Sequence, residues 1–180
     1  MDKHLIEGER LIIRKARMSD LDSIFSNIYS DEALLETMFL EIAKSKEDAS
    51  ARLMRTIEFQ KDKPLFFVAL KETDEVIGLC GIQEEAAGIY SEAGICIARK
   101  HQHQGYASEV LAILLNYAFV DCNAKAFAYY CMSCNDASKA LAKKFGFQYD
   151  RVNKETRRRD NKVFDIERYV LPRSAYVGWE

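Results

Sequence analysis

The stretch from Ile95 to Phe119 constrains the fold of this chain more than any other part of its sequence. It opens with three apolar residues, Ile95 to Ile97, which are typical of a buried strand, and then becomes polar as far as Gly105. From Tyr106 onward the apolar residues recur at helical spacing and would share one face: Ala107, Val110, Leu111, Leu114, Leu115 and Ala118. The pattern therefore predicts a strand, a tight loop and a helix in direct succession.

The rest of the chain predicts further strands and helices in mixed order. Strands are expected at residues 10–16, 65–70, 76–82, 90–97, 126–131, 147–153 and 163–171. Helices are expected from Asp20 with Ser19 as cap, over Glu47–Gln60 with Leu53, Met54 and Ile57 inside, from Tyr106, and over 136–144 behind Asn135 or Asp136. This order indicates an α+β fold around one mixed sheet of about seven strands with about four helices, in a single domain spanning residues 1–180.

Composition and charge exclude several classes of protein. The chain has 180 residues, of which 48% are hydrophobic and 30% charged, and its formal net charge is −2. Such a composition does not fit a disordered or membrane protein, and a general nucleic-acid binder usually has a broad basic excess. The apolar stretch Val110–Val120 is too short for a membrane span. With five cysteines and a charged N-terminus, we expect a cytoplasmic protein with free thiols.

Within Ile95 to Phe119, the polar loop between the predicted strand and the predicted helix has the chemistry of an anion-binding site. A helix N-terminus presents unpaired N–H groups and the positive end of a dipole, and both favour a phosphate. The small residues Gly105 and Ala107 would let a diphosphate approach the backbone closely. The Lys-Ser/Thr pair of a P-loop and the three glycines of a dinucleotide fingerprint are missing from this segment. Taken alone, Gly105 is equally explained as a turn residue.

Three motifs together resemble those of the GNAT superfamily of acyl-CoA N-acyltransferases. Gln102-x-x-Gly105-x-Ala107 is similar to the family's pyrophosphate-binding motif, and Asn135-x-x-Ser138 followed by a Gly-Phe pair is similar to its later motif. The ending Tyr117-Ala118-Phe119 resembles the RimJ/RimL-like branch, which acetylates the N-terminal amines of ribosomal proteins. The resemblance covers nearly the whole chain and implies the GNAT fold.

This resemblance implies an acetyl-CoA-dependent N-acetyltransferase that needs no metal. A primary amine of a protein N-terminus or a small molecule would attack the thioester directly, and backbone N–H groups of Ile95, Cys96 and Ile97 would stabilise the oxyanion. Asn135 would bond the pantetheine arm or cap its helix. The diphosphate would lie on the backbone N–H groups of one loop segment: Gln102, His103, Gln104, Gly105, Tyr106, Ala107 and Ser108.

Two residues are the candidates for proton transfer. Glu92 is expected to accept the amine proton through water, or else to be a solvated acid at a strand edge. Ser138 is expected to donate to the departing sulfur, or else to be an ordinary serine in the first turn of a helix. Many relatives carry a tyrosine acid seven residues after the asparagine, but here that position is Ala142.

Other interpretations stay open at this stage. The first alternative function is a non-catalytic acyl-CoA-binding regulatory module on the same fold. The second is a zinc-binding protein that uses Cys131, Cys134, His101 and His103, although structural zinc needs four ligands at one site. Arg157–Arg159 is either a solvated hairpin tip or a docking surface for an acidic partner such as a ribosome. Tyr90, Tyr129, Tyr130 and Phe39 are candidates for an acceptor pocket, and the protein is expected to be a monomer or a homodimer without membrane or sequence-specific nucleic-acid contacts.

Overall fold

The computed structural model describes residues 6–178, and these form eight strands and five helices. The strands are β1 (Ile6–Glu7), β2 (Leu11–Arg14), β3 (Leu65–Leu70), β4 (Val76–Ala86), β5 (Ile89–Ile97), β6 (Ala126–Met132), β7 (Gln148–Arg157) and β8 (Lys162–Pro172). The helices are α1 (Leu21–Ile24), α2 (Glu32–Leu35), α3 (Lys46–Phe59), α4 (Tyr106–Asn116) and α5 (Asp136–Lys144). The strands follow one another across a single sheet in the order β1-β2-β3-β4-β5-β6-β8-β7. The predicted α+β fold with one mixed sheet is confirmed, with one strand and one helix more than expected.

The predicted helix behind Ser19 differs from the observed one. A 3-10 turn covers Met18–Asp20, α1 has only four residues, and a wider π-type turn follows over Phe25–Tyr29. Asp20 rather than Ser19 precedes α1, and its carboxylate accepts the Arg17 N–H at 2.7 Å. The same carboxylate forms a buried two-pronged ion pair with Arg14, at 2.8 and 2.9 Å. Asp20 lies at this buried position because its charge and that of Arg14 neutralise each other. The local sequence pattern does not show this pairing.

Helix α3 and strand β1 show two further differences. The α3 helix begins after Ser45, whose hydroxyl accepts the Asp48 N–H at 3.2 Å, and it buries Ala49 and Leu53. The prediction that Met54 lies inside is wrong, because its side chain is 54% exposed. The short strand β1, which pairs antiparallel with β2, was not predicted because two residues carry no periodicity of their own.

The residues group into two compact units that are best described separately. The first unit comprises Met1–Gly81 and Ala93–Ile113, of which residues 6–81 and 93–113 are described. Antiparallel pairing joins β1, β2, β3 and the first part of β4. Its core is apolar and close-packed, and Ile24, Ile28, Leu53, Phe67 and Val76 are fully buried within it. This core supports the strand–loop–helix segment that ends the unit.

The second unit comprises Ile82–Glu92 and Leu114–Glu180, described as far as residue 178. Within it, β5 pairs in parallel with β6 from Ile89 opposite Ala126 to Ser91 opposite Ala128. Strand β8 pairs antiparallel with both β6 and β7. Phe127 packs edge-on to Phe147 with ring centroids 6.2 Å apart, and both rings are buried. None of the helices in the described part of the chain is long and apolar enough to cross a membrane.

Candidate active site

The polar loop that follows β5 is held by its own glutamine side chains. The Gln102 side-chain amide donates to the Ile97 carbonyl at 2.9 Å, which ties the middle of the loop to the last residue of the strand. The Gln104 amide donates to the Lys100 carbonyl at 3.1 Å. These two hydrogen bonds give the loop a defined shape. Residues 102–105 are exposed, so the surface of the loop is accessible.

Two residues of this loop have a left-handed backbone. His103 has φ of 60° and Gly105 has φ of 85°, directly before α4 begins at Tyr106. A Cβ built on Gly105 would lie 3.4 Å from Nη2 of Arg10, which is an ordinary contact. Glycine is therefore favoured at this position by the backbone conformation and not by a lack of space for a side chain. Such a turn leads the chain into the N-terminus of α4, as predicted from the sequence.

Arg10 braces the loop, and sequence reasoning missed it. Its Nη1 donates to the Gln104 carbonyl at 3.0 Å, and its Nε pairs with the Glu109 carboxylate at 2.9 Å. Its guanidinium lies 4.4 Å from the centre of the Tyr106 ring. Arg10 and Gln104 are 94 residues apart in sequence, so no local pattern joins them. The arginine places a partly exposed positive charge beside the loop.

The strand that leads into the loop departs from regular backbone at Gly94. Its φ of 98° is open to glycine but strained for other residues, and glycine inside a strand often marks an irregularity in the ladder. Ile95, Cys96 and Ile97 follow it. A Cβ on Gly78 of β4 would lie 2.3 Å from the Cys96 carbonyl, so the two backbones are in close contact here. Burial raises the pKa of the Cys96 thiol to about 12.

In the second unit, Glu92 is a buried carboxylate. Its side chain is only 6% exposed, so the alternative of a solvated strand-edge acid is wrong. Its Oε1 accepts the backbone N–H of Tyr130 in β6 at 3.0 Å. The β5–β6 register reaches Ser91 opposite Ala128, and the carboxylate bonds β6 two residues further on. The Glu92 carboxylate, which can accept a proton, is thus fixed in position with little solvent around it.

Asn135 and Ser138 meet at the start of α5. The Asn135 side-chain oxygen accepts the Ser138 backbone N–H at 3.1 Å, which confirms the predicted helix cap. The Ser138 hydroxyl lies 2.7 Å from the Tyr129 hydroxyl of β6. Burial and the nearby charge of Glu92 raise the pKa of Tyr129, which therefore stays neutral well above neutral pH. The Tyr129 hydroxyl was not predicted to reach Ser138.

The tyrosines and the basic cluster have separate surroundings. In Tyr130, the hydroxyl donates to Glu85 at 2.8 Å and accepts from Arg168 at 2.9 Å, and Arg168 also binds Asp150 at 2.6 Å. Tyr90 is half-buried, and Phe39 is 43% exposed.

For Arg157, the interpretation as part of a solvated hairpin tip is wrong. Its side chain is buried, binds Asp160 at 2.7 Å and stacks on Phe164, 4.6 Å from the ring centre.

The cysteines and histidines do not converge. Among residues 6–178, no three side chains of His, Cys, Asp or Glu are grouped as a metal site requires. All five cysteines lie in this range as free thiols, and Cys80, Cys96 and Cys131 are buried. Burial raises the pKa of Cys131 to about 11. Cys134, its partner in the Cys-x-x-Cys spacing, is exposed.

The predicted site residues thus fall into two groups. Glu92, Asn135 and Ser138 belong to the second unit, and Asn135 directly supports Ser138. The remaining predicted residues, 95–97 and 102–108, belong to the first unit. The first group consists of a buried carboxylate, a capping amide and a hydroxyl, and the second is a strand end, an exposed loop and a helix start.

Comparison with known proteins gives consistent matches over this chain. Residues 10–148 match the family model described as the acetyltransferase (GNAT) domain. The relative named "Uncharacterized N-acetyltransferase p20" from Bacillus licheniformis is 25% identical over 177 residues, covering 94% of this chain and 97% of the relative. A GNAT-family acetyltransferase structure from Bacillus anthracis has a TM-score of 0.78 at 21% identity and covers 94% of this chain and 99% of its own.

A second solved structure shares the fold at lower identity. It is the Salmonella typhimurium acetyl transferase described as modifying the N-terminal serine of the 50S ribosomal subunit protein L7/L12, and its TM-score is 0.74 at 18% identity. It covers 93% of this chain and 98% of its own. Because the family model spans more than three quarters of the sequence and includes both the loop and the Asn135–Ser138 motif, this chain belongs to the GNAT acetyltransferase family.

Proposed function

We propose that this protein transfers the acetyl group of acetyl-CoA to a primary amine by direct attack of the amine on the thioester. The observation that carries the proposal is the exposed loop Gln102–Gly105, curled by two left-handed residues into the start of α4, in a chain of the GNAT family. We take residues 1–180 to act as one catalytic domain, since the family match includes parts of both units.

The first unit would bind the diphosphate of CoA. Backbone N–H groups of residues 103–107 would donate to its oxygens, since a helix N-terminus leaves such groups without partners inside the helix. The Gln102 N–H is not one of them, because it donates to the Arg99 carbonyl at 3.2 Å. The Arg10 guanidinium, bonded to the Gln104 carbonyl, adds a positive charge beside them. Gln102 contributes by fixing the loop to Ile97. The side-chain oxygen of Asn135 already caps α5, and its amide nitrogen would donate a hydrogen bond to the pantetheine arm.

The second unit would supply the proton transfers. An ammonium ion must lose a proton before its nitrogen can attack, and Glu92 would accept that proton through water. The nitrogen then bonds to the acetyl carbon, and N–H groups of Ile95, Cys96 and Ile97 stabilise the oxyanion. As the carbon–sulfur bond breaks, the electron pair leaves on the CoA sulfur, and Ser138 donates a hydrogen bond to it. The attacking nitrogen still carries one proton too many, which it releases to solvent as the amide forms, and solvent protonates the thiolate.

The acceptor is either a protein N-terminus or a small-molecule amine. The Salmonella protein of similar fold is described as modifying an N-terminal serine, so an N-terminal serine is the first amine to test. A suitable panel contains peptides with N-terminal serine, alanine and methionine, a polyamine and an aminoglycoside. The alternative of a non-catalytic acyl-CoA-binding module has no observation in its favour.

The test measures thiol release from acetyl-CoA for each amine, together with the mass of the amine product. We expect amine-dependent release for at least one class of acceptor and a product heavier by one acetyl group. Glu92→Gln is the matched control, since it should bind acetyl-CoA but react slowly. Tight acetyl-CoA binding without amine-dependent release from any member would favour the regulatory module instead.

A further inference from the structure

The Ser138 hydroxyl is held more firmly than an ordinary serine in the first turn of a helix. Its backbone N–H donates to Asn135, which fixes the residue at the start of α5. Its Oγ lies 2.7 Å from Oη of Tyr129, a distance typical of a good O–H···O hydrogen bond. The Tyr129 ring is 4% exposed and packs against Phe147 at 5.7 Å, so the phenol has little freedom to move.

We propose that Tyr129 is a positioning residue for the acetyl transfer: its hydroxyl donates to Ser138 Oγ and so directs the Ser138 O–H toward the departing CoA sulfur. This inference rests on the proposed function. It gives the chain a fixed donor although Ala142 stands where many relatives carry a tyrosine acid.

The direction of the hydrogen bond follows from the chemistry of the two groups. A phenol is the more acidic hydroxyl of the pair and therefore the better donor, and the buried Tyr129 keeps its proton at neutral pH. When Tyr129 donates, Ser138 Oγ accepts, and its own hydrogen remains for another acceptor. The Cys131 thiol is one such neighbour, since the Ser138 hydroxyl acts to lower the pKa of Cys131 as a hydrogen-bond donor does. Cys131 is neutral at pH 7, because burial raises its pKa to about 11, so a charged CoA thiolate would be the stronger acceptor.

Glu92 links this donor to the other half of the reaction. The Glu92 charge is one of the causes that raise the pKa of Tyr129. When Glu92 takes the amine proton, that charge disappears, and the Tyr129 O–H becomes more acidic and a stronger donor. The thiolate develops after this proton transfer. The Ser138 donor would therefore be strengthened when the leaving group needs it.

The first experiment compares two buried tyrosines on neighbouring strands. Tyr129→Phe removes only the hydroxyl, and we expect kcat to fall about tenfold with KM for acetyl-CoA unchanged, which is the loss of one hydrogen bond in the transition state. Tyr169→Phe is the matched control. Tyr169 lies directly opposite Tyr129 in the sheet, is 5% exposed, and its hydroxyl bonds Glu167 rather than Ser138. Equal losses in the two variants would overturn the proposal, because they would reflect packing alone.

A double substitution tests whether Tyr129 acts through Ser138. Ser138→Ala should lower kcat at least as much as Tyr129→Phe, and adding the second change should cost nothing further. Independent, multiplying losses would contradict the proposal. If Tyr129→Phe folds poorly, a fluorotyrosine at position 129 keeps the ring and its packing while making the hydroxyl more acidic. We then expect kcat at or above the wild-type value, whereas a fall would contradict the assigned donor direction.

A titration of bound CoA needs no acceptor and so separates this proposal from the proposed function. Thiolate absorbance of the CoA complex is measured against pH, with the desulfo-CoA complex subtracted to remove the protein's own thiols. A Ser138 donor should lower the pKa of the bound CoA thiol, and Tyr129→Phe should raise it again. An unchanged pKa in Tyr129→Phe would overturn the positioning role even in an active enzyme. Failure of all amines to react would count against the proposed function only.

Discussion

The side chain of Gln102 donates to the carbonyl of Ile97, five positions earlier in the chain, at 2.9 Å and so closes the loop between them. This bond explains why a glutamine suits the first position of the Gln-x-x-Gly-x-Ala pattern. The side chain ties the loop to the last residue of β5, and the exposed residues that follow lead into the N-terminus of α4. The glutamine thus shapes the candidate diphosphate site from beneath and need not contact the diphosphate itself.

Replacing Gln102 should therefore loosen the loop without unfolding the protein. We expect Gln102→Ala to weaken acetyl-CoA binding about fivefold, which corresponds to roughly 1 kcal/mol for one lost hydrogen bond. Calorimetric titration measures the affinity, and Tm should change little because the loop is exposed. Gln104→Ala is the comparison, since its bond to the Lys100 carbonyl stays within the loop and should matter less. Equal affinity in wild type and Gln102→Ala would contradict this role.

Gly105 tests the diphosphate site directly. Gly105→Glu adds bulk and negative charge where an anion is proposed to bind, and we expect at least a tenfold loss of acetyl-CoA affinity. Gly105→Asn is the matched control, because asparagine tolerates the positive φ of 85° and adds no charge. It should lose less affinity than the glutamate variant. Wild-type affinity in Gly105→Glu would show that the loop does not hold the diphosphate.

Glu92 is the candidate base, and its substitution separates chemistry from binding. In Glu92→Gln, the amide oxygen can still accept the Tyr130 N–H, so the link to β6 is kept while basicity is lost. We expect kcat to fall about 100-fold, within the usual range for a positioned base, with acetyl-CoA affinity nearly unchanged. Raising the pH should recover part of the loss, because more of the amine is already neutral. A kcat close to wild type at pH 7 would rule out Glu92 as the base.

The sequence predicts the local parts of this site well. The loop, the start of α4 and the Asn135 cap all depend on residues close together in the chain, where a glycine or a capping side chain leaves a clear pattern. The contacts of Arg10 with Gln104 and of Tyr129 with Ser138 were not predicted, because these partners lie 94 and nine residues apart and on other elements. Tyr129 was considered only for an acceptor pocket. Such contacts exist only once the strands and helices have packed.

Burial of charged groups is the second kind of feature that the pattern does not show. Neither Glu92 in its strand nor Arg157 in its charged run is marked as buried by the neighbouring sequence, yet both side chains are buried. Arg157 is inside because Asp160 pairs with it and Phe164 lies against its guanidinium. A run of three arginines indicates only that charge is present. Which of the three points inward depends on how the β7–β8 hairpin pairs.

The five thiols should react in order of exposure. Ellman's reagent at pH 8 should modify the exposed Cys134 first and the half-buried Cys122 more slowly. Cys96 and Cys131 have pKa values raised by burial to about 12 and about 11, so at most about one in a thousand is ionised at pH 8. Cys134→Ser should remove the fast phase. Denaturation should expose five thiols per chain, and bound zinc in stoichiometric amount would contradict this prediction.

The Arg157–Asp160 pair should make the protein sensitive to acid in a defined range. The hydrogen bond and charge of Arg157 lower the pKa of Asp160 to about 2, compared with about 3.9 for an aspartate in an unfolded chain. A carboxyl group whose pKa is depressed by folding stabilises the folded state above its unfolded pKa. That contribution disappears as the pH falls through the folded pKa. The pair should therefore contribute fully above about pH 4 and be lost between about pH 4 and pH 2.

An NMR titration of the Asp160 carboxyl carbon measures this directly, and we expect a midpoint near pH 2. Arg157→Met keeps a long apolar side chain against Phe164 but removes the guanidinium, so the Asp160 midpoint should rise toward the value of an unpaired aspartate. Chemical denaturation of wild type and Asp160→Asn gives the second measurement. Wild type should be the more stable above pH 4, and the difference should shrink as the pH falls to 2, because protonated Asp160 no longer attracts Arg157. A stability difference that does not change over this range would show that the ion pair does not carry the effect.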